Sequence, residues 1–358
     1  MRWGQSPAHY TTLGKMRDFM FFSDELNKNN SREIEEIKEF LSLFQVNFDY
    51  PDKTFVIRDK GKIVATGSAD SNILKYFFAC KKYSGQGLIG TIYKSLLNHL
   101  FESGYDSYFV FTTPNNKLIF ESLGLKEVSS TESVSLFEGG FYNYHRWMKK
   151  TKDLIGEKSG TRGSIIMNCN PMTLGHRYLI DRALEEVDDL IIFVVEEDKS
   201  IFPLEDRFNI MKEELAKEEK VTLLKGGPYI ISQATFPTYF LKEKDQMLEV
   251  YTDLDGKIFA SKIAKDLEID IRFLGTEPKD PVTLAYNRSL KKILGKEDIR
   301  VEVIERKKLD EEVISASLVR KLLKEGKKNE AYKYLPSSTI EYLESEKGLK
   351  IIDKIRKG

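Results

Sequence analysis

Apolar residues in the first half of the chain recur in two patterns, and each pattern predicts its own kind of element. Spacings of three and four residues predict amphipathic helices after Ser31 and after Gly87. Two β-rich runs on either side of the turn at 59–61 predict a hairpin. We expect strands at 54–57, 62–67, 73–80 and 108–111, and helices at 31–44, 89–100 and 115–122. This mixture of elements predicts an α+β domain.

The second half alternates between short apolar runs and helical spacing. The run at 190–195 has no polar position, which indicates a strand buried on both faces of a sheet. Such strands alternating with helices predict a parallel sheet with helices on each side, a Rossmann-like α/β domain. The predicted strands are 164–168, 190–195, 221–225, 271–274 and 301–304, and the predicted helices centre on 178–186, 207–217, 257–267, 282–294 and 317–324.

A polar, glycine-containing stretch separates the two halves and is the best linker candidate. We expect an N-terminal domain at 16–148, a linker at 149–162 and a C-terminal domain at 163–350. Residues 1–15 show no periodicity, so we expect an N-terminal extension, with Met16 as an alternative start.

Composition and charge exclude several classes of protein. The 358 residues include 56 basic and 56 acidic side chains, so the chain lacks the basic excess typical of nucleic-acid binding. Two cysteines, Cys80 and Cys169, exclude a disulfide framework and a cysteine-based zinc site. The sequence shows neither a signal peptide nor an apolar run long enough to cross a bilayer. We expect a cytoplasmic protein with no membrane or nucleic-acid partner.

The segment that follows the first strand of the second half carries candidate chemistry. It reads Asn168-Cys169-Asn170-Pro171-Met172-Thr173-Leu174-Gly175-His176 and leads into a helix. Unpaired N–H groups and the positive end of the dipole favour phosphate at a helix N-terminus. A glycine there lets the backbone approach a ligand closely, and a histidine can donate to a phosphate oxygen. The alternative is a tight turn beside a structural histidine.

A second helix start that could bind phosphate follows at Ile314-Ser315-Ala316-Ser317-Leu318-Val319-Arg320. Either serine can cap the helix or contact phosphate, and an arginine one turn later supplies a fixed pair of donors. Alone, this segment is an ordinary N-cap followed by a surface arginine.

Together, the two segments resemble the H/T-x-G-H and I-S-x-S/T-x-V/I-R signatures of the nucleotidyltransferase superfamily. The first histidine of that motif is Thr173 here. The resemblance implies that Thr173 and His176 face the α- and β-phosphates of ATP, and that Ser315, Ser317 and Arg320 hold the triphosphate. Cys169 is interpreted as a packing residue rather than a nucleophile.

Three further segments, at 195–208, 229–242 and 273–278, make the chain similar to the citrate lyase ligase family from about Met16 onward. The resemblance implies catalytic roles for His176, Thr173 and Lys199. It implies ATP contacts from Asn168, Asn170, Pro171, Gly175, Arg207, Gly275, Thr276, Glu277, Ser315, Ser317 and Arg320. For Gly275-Thr276-Glu277, contact with ribose or adenine and a plain strand-ending turn remain alternatives.

The family resemblance also implies a reaction and its partners. An AMP-forming acid–thiol ligase would activate acetate with ATP as acetyl-adenylate. It would then acetylate the thiol of the CoA-like prosthetic group on the citrate lyase acyl-carrier subunit. Mg²⁺ is expected on the ATP phosphates, without a dedicated protein metal site. Two alternatives stay open: an adenylyltransferase of a dinucleotide cofactor pathway, and an N-acetyltransferase with a nucleotide-binding domain.

The N-terminal half carries one further loop of interest, at 85–90. Gly85, Gln86, Gly87 and Gly90 resemble the acetyl-CoA loop of GNAT-type N-acetyltransferases, so a GNAT-like domain is expected. Backbone N–H groups of such a loop can hold a pyrophosphate. We interpret the loop as a docking site for the CoA-like prosthetic group rather than a second catalytic centre.

Overall fold

The computed structural model describes residues 21–196, 200–230, 236, 247–276 and 281–357. The chain divides into two compact units. The first contains the residues up to Ser71 together with Lys75–Ser103, and the second contains Asn72–Leu74 and the residues from Gly104 onward. Residues 104–148 thus group with the C-terminal part of the chain, and the domain boundaries drawn from sequence stay a prediction.

The first unit is built on antiparallel strands. They are β1 (Ser23–Glu25), β2 (Lys53–Asp59) and β3 (Lys62–Asp70), followed by most of β4 (Ile73–Ala79). β2 and β3 pair antiparallel, which confirms the predicted hairpin. Helix α1 (Ser31–Ser42) buries its apolar stripe, and α2 (Leu88–Glu102) begins after the glycine-containing loop.

The second unit begins with three strands and two helices. The strands β5 (Ser107–Thr112), β6 (Lys126–Ser130) and β7 (Ser135–Gly140) are antiparallel in the order β5-β7-β6. Ile73 and Leu74 pair in parallel with Phe109 and Val110 of β5. The helices are α3 (Lys117–Ser122) and α4 (Tyr144–Lys152), so the first residues of the predicted linker are helical.

A five-stranded parallel sheet follows, in the order β10-β9-β8-β11-β12. Its strands are β8 (Arg162–Met167), β9 (Asp189–Val194), β10 (Val221–Lys225), β11 (Ile271–Gly275) and β12 (Arg300–Ile304). The apolar residues of β8 and β9 are almost all buried because helices cover the sheet. The predicted α/β fold class, with an α+β N-terminal part and a parallel-sheet C-terminal part, is confirmed.

The helices between the strands begin within a few residues of their predicted positions, with one exception. They are α5 (Leu174–Leu184), α6 (Leu204–Glu214), α7 (Met247–Ile258), α8 (Lys265–Leu267) and α9 (Pro281–Leu294). A π-helical stretch at Phe259–Ala264 joins α7 to α8, so this helical segment begins ten residues before the range 257–267 on which the predicted helix was centred.

The C-terminal end of the chain is helical beyond the predicted elements. A two-stranded ribbon, β13 (Lys308–Leu309) and β14 (Glu312–Val313), precedes α10 (Ala316–Lys324). The helices α11 (Lys328–Tyr332), α12 (Ser337–Glu344) and α13 (Glu346–Lys357) complete the chain and share a core with α10. Within the described ranges, no helix combines the length and apolar character that a membrane crossing requires.

Candidate functional site

A cavity of about 340 Å³ opens at the carboxyl ends of β8, β11 and β12. The strand order reverses at β8, with β9 and β10 on one side and β11 and β12 on the other. Ligands of open α/β sheets bind in the crevice at such a reversal. The polar and glycine residues of its wall include Asn168, Asn170, Thr173, Gly175, His176, Gly275, Glu305, Arg306, Ser315 and Arg320. Most of the predicted ATP-binding residues therefore come together here.

The first turn of α5 holds His176 in one orientation. Thr173 is the N-cap, and its backbone N–H donates to Nδ1 of His176 at 3.0 Å. Because Nδ1 accepts this hydrogen bond, the neutral ring carries its proton on Nε2. Thr173 Oγ1 also lies 2.9 Å from Nδ1, and it accepts from the His176 N–H at 3.4 Å. The reciprocal cap thus leaves His176 with a single ring N–H donor at the cavity wall.

The environment of His176 keeps the ring neutral. Burial, and secondarily the positive charge of Arg306, lower its pKa to about 4. At pH 7 the imidazole is therefore uncharged and acts as a hydrogen-bond donor rather than as a cation. Thr173 is 1% exposed and its hydroxyl is occupied by the cap, so its contribution to the site is to orient His176.

Gly175 brings the two predicted motifs into contact. A Cβ at this position would lie 2.9 Å from the backbone oxygen of Ile314, the residue before Ser315. Any larger residue would separate the start of α5 from the start of α10. The structure thus shows a close approach between two segments of the chain at Gly175, and the predicted approach to a ligand stays a prediction.

The second motif supplies a cation to the same cavity. Ser315 is the N-cap of α10 and accepts from the Leu318 N–H at 3.1 Å. Arg320 donates through Nη1 to the backbone oxygen of Asn170 and through Nη2 to Ser317 Oγ at 3.3 Å. Burial lowers the pKa of Arg320, but a guanidinium stays protonated at neutral pH. Its charge therefore sits beside the turn after β8.

Arg207 lies behind this turn and is fully buried. It donates through Nη1 to the backbone oxygen of Asn168 at 2.6 Å and to Asn168 Oδ1 at 2.6 Å. It also donates to the backbone oxygens of Phe202 and Val195. These bonds join the loop after β8 to the loop after β9, so Arg207 positions Asn168. Its predicted contact with ATP stays a prediction.

The remaining residues of the turn are held by the protein itself. Asn170 Oδ1 accepts from the Phe202 N–H at 3.0 Å, and the peptide bond from Asn170 to Pro171 is cis. Cys169 is 1% exposed and belongs to the core beneath the sheet. Burial raises the pKa of its thiol, which agrees with the predicted packing role.

Sequence reasoning missed Arg306, which lines the cavity two residues after β12. Its backbone N–H donates to Thr276 Oγ1 at 3.1 Å, and burial lowers the pKa of its guanidinium. Ligands of open α/β sheets bind at the carboxyl ends of the strands. This rule, applied to the last strand, would have found Arg306.

Other predicted residues lie outside the cavity wall. Thr276 donates its N–H to the backbone oxygen of Ile304 at 2.9 Å, and Ser317 is exposed on α10. Lys199 and Glu277 lie outside the described residues. In the described part of the chain, no group of three or more His, Cys, Asp or Glu side chains could hold a metal ion.

The glycine-containing loop of the first unit is exposed, from Gly85 to Gly87. Gly87 is the N-cap of α2 with φ +73°, a value that favours glycine. Cβ atoms built on Gly85, Gly87 or Gly90 would meet no protein atom within 4 Å. The backbone of this loop is therefore open to a ligand, and its predicted role stays a prediction.

Comparison with known proteins agrees with the motifs. The citrate lyase ligase C-terminal domain family matches residues 162–343. A [citrate [pro-3S]-lyase] ligase of Escherichia coli is 33% identical over 91% of this chain and 95% of its own length. Those of Haemophilus influenzae and Klebsiella pneumoniae are 35% and 31% identical, each over 86% of this chain and 94% and 92% of their own lengths. The chain therefore belongs to the citrate lyase ligase family, whose members are enzymes of the acid–thiol ligase type.

Proposed function

We propose that the protein activates acetate with ATP and transfers the acetyl group to the thiol of a CoA-like prosthetic group on the acyl-carrier subunit of citrate lyase. An acetate oxygen attacks the α-phosphorus, and the bond to the bridging oxygen of pyrophosphate breaks. The carrier thiol, after losing its proton to solvent, then attacks the acetyl carbonyl, and the bond to AMP breaks. Family membership and the donor set of the cavity support this reaction.

The observation that carries the proposal is the first turn of α5. A neutral His176, protonated on Nε2, lies in the cavity with two arginines. The Gly175 N–H has no acceptor among the described residues, whereas the Leu174 N–H donates to the backbone oxygen of Tyr334. Negative charge grows on the α-phosphate oxygens during attack. Donors already placed at those oxygens bind the transition state better than the ground state.

The arginines of the site suit the leaving group. Arg320 and Arg306 are held by the chain beside the cavity and keep their charge in a partly buried position. Pyrophosphate leaves with a large negative charge, which guanidinium groups bind through paired hydrogen bonds. Mg²⁺ bound to the ATP phosphates would supply further charge neutralisation.

Isotope exchange between pyrophosphate and ATP tests the proposal directly. The exchange should require acetate, and adding the thiol form of the citrate lyase carrier should yield acetyl-carrier and AMP. Exchange that depends on a mononucleotide or phosphopantetheine acceptor instead of acetate would identify an adenylyltransferase. Acetyl transfer from acetyl-CoA without ATP would identify an N-acetyltransferase.

A further inference from the structure

A second cavity, of about 500 Å³, lies along β10 at the edge of the parallel sheet. We call it the β10 groove and define it by Tyr142, Trp147, Lys150, Leu154, Glu196, Phe208 and residues 222–225. Consecutive residues of a strand point to opposite faces of the sheet. A cavity that contacts all four residues of 222–225 therefore runs along the open edge of the strand rather than over one face.

The edge of β10 offers backbone hydrogen-bonding groups to this groove. The Leu190 N–H donates to the Lys220 oxygen, and the Gly226 N–H donates to the Val194 oxygen. Alternate residues of a parallel strand bond to the same neighbour. The intervening Leu223 and Lys225 therefore direct their N–H and C=O groups away from β9. No backbone partner on that side is found in the described ranges.

The opposite wall adds polar atoms that the fold does not use. Trp147 is 4% exposed, and no residue of the described part accepts a hydrogen bond from its indole N–H. A Cβ on Gly227 would lie 2.2 Å from that nitrogen, so the glycine is what leaves room for the indole edge. The Tyr142 hydroxyl likewise has no partner among the described residues. The groove thus presents backbone groups, an indole N–H and a hydroxyl, and apolar side chains line it beside them.

The charges of the groove differ in how they are paired. Lys225 pairs with Glu205 of α6, and Glu196, which also lines the groove, accepts from the Gly227 N–H. Lys150 is exposed on α4 and has no carboxylate partner within the described ranges. Leu154, one turn further along, is 61% exposed. Among its described residues, the groove therefore combines a cation without a carboxylate partner, a carboxylate bonded to a backbone N–H and an exposed apolar side chain.

The register of the sheet connects the groove to the candidate site. Lys225 pairs with Val194, and Val194 pairs with Met167, the residue before Asn168. Strands are spaced about 4.8 Å apart, so the carboxyl end of β10 lies about 10 Å from the edge of the site. A pantetheine chain has about the backbone length of four residues, roughly 13 Å when extended. Such a chain can lie in the groove and reach the site.

We propose that the β10 groove binds the pantetheine arm of the carrier's prosthetic group and directs its thiol toward the acyl-adenylate, an inference that rests on the proposed function. The two amides of the arm pair with the free backbone groups of Leu223 and Lys225. The Trp147 N–H donates to a carbonyl, and Lys150 binds the phosphate of the arm. Leu154 and Phe208 pack against the aliphatic part.

Binding can be tested without turnover by tryptophan fluorescence. The chain has two tryptophans, so a Trp3→Phe variant reports from Trp147 alone. Titration with 4′-phosphopantetheine should give a saturable change in emission. Lys150→Glu should weaken binding about tenfold, because attraction to the phosphate becomes repulsion. The matched control Lys149→Glu, exposed on the same helix but outside the groove, should bind like the parent. No saturable change, or equal binding by the Lys150 variant, would overturn the proposal.

A second measurement separates this proposal from the proposed function. Lys150→Glu should raise the KM for the carrier while leaving acetate-dependent pyrophosphate exchange unchanged. Absence of that exchange in the parent would contradict the proposed function, whereas the fluorescence titration would still report on the groove. If Lys150→Glu impaired acetylation of the carrier but not binding of 4′-phosphopantetheine, the groove would contact the carrier polypeptide and our assignment would be wrong.

Discussion

At the scale of single residues, some groups that line the cavity also hold their neighbours. Thr173 and Asn170 line it together with His176 and Arg320, and their backbone groups bond to those two side chains. A donor is useful in catalysis only when its direction is set before the charge develops. The contacts show that Thr173 orients the His176 ring, and the catalytic role of the pair stays a prediction.

Replacing His176 tests the donor. His176→Ala should lower acetate-dependent pyrophosphate exchange about 10²–10³-fold, the usual effect of losing one transition-state donor. His176→Gln is the matched variant, since glutamine at this position can still accept from the Thr173 N–H and keep the cap. Both should melt as folded proteins. Parent-like exchange by a folded His176→Ala protein would exclude the catalytic assignment.

The low pKa of His176 predicts the pH dependence of stability. The folded-state pKa of about 4 lies below the unfolded value of about 6.5, so the unfolded chain binds more protons between these values. The stabilisation is complete above about pH 6.5 and is lost as the pH falls toward 4. Melting temperature should fall more steeply over this window in the parent than in His176→Gln. Parallel melting curves of the two proteins would show that the ring does not titrate in this way.

Replacing Arg320 tests whether the cation of the second motif binds the phosphates of ATP. Arg320→Lys should raise the KM for ATP at least about tenfold, because an ammonium cannot replace both Nη contacts at once. The control is Lys321→Ala, whose side chain is 72% exposed on the same helix. ATP binding can be measured by titration calorimetry, and unchanged affinity in Arg320→Lys would remove the phosphate role.

At the scale of elements, the site depends on two helix starts that meet. α5 and α10 are far apart in the sequence, and the contact of Gly175 with Ile314 brings their first turns to one cavity. Each N-terminus contributes partial positive charge, so together they favour an anion more than either alone.

Gly175→Ala tests this junction. The added Cβ would stand 2.9 Å from a backbone oxygen, so the two helix starts must separate. We expect a lower melting temperature and at least a tenfold rise in the KM for ATP, consistent with the sensitivity of catalysis to small displacements. Gly156→Ala is the control, because a Cβ there meets nothing within 4 Å. If the two variants behaved alike, the junction would not control the site.

At the scale of the whole molecule, the glycine-containing loop of the first unit is a second segment whose backbone is open to a ligand. The loop that contains Gly87 and Gly90 is open to approach, and it resembles a loop that holds a pyrophosphate in acetyltransferases. The docking of the carrier's prosthetic group at this loop stays a prediction from the sequence, and it is tested separately from the β10 groove.

Gly90 is the better position for testing this loop. It has no positive φ and no neighbour within 4 Å, so Gly90→Leu adds bulk without strain, and Gly90→Ala is the matched smaller change. Gly90→Leu should raise the KM for the carrier severalfold and leave acetate-dependent pyrophosphate exchange intact. Carrier acetylation equal to that of the parent would mean that the loop only packs within its domain.

The local sequence determined the strands, most helix starts and the two motifs. The continuous apolar run at 190–195 predicted a strand buried on both faces of a sheet. This pattern can be seen in consecutive residues, without any knowledge of distant contacts. The helix start at Ser315 was likewise predicted from its capping side chain, whereas the N-cap role of Thr173 was found only in the structure.

Only the tertiary structure decided what those residues do. Arg207 and Lys150 look alike in sequence as charged residues near loops, yet one is fully buried against carbonyl groups and the other is exposed beside a groove. Arg306 lies at the site because it follows β12, the second strand from β8 in the sheet. Gly175 matters because Ile314, far away in the sequence, packs against it. Contacts between residues far apart in the chain arise from packing of whole elements, which local spacing does not encode.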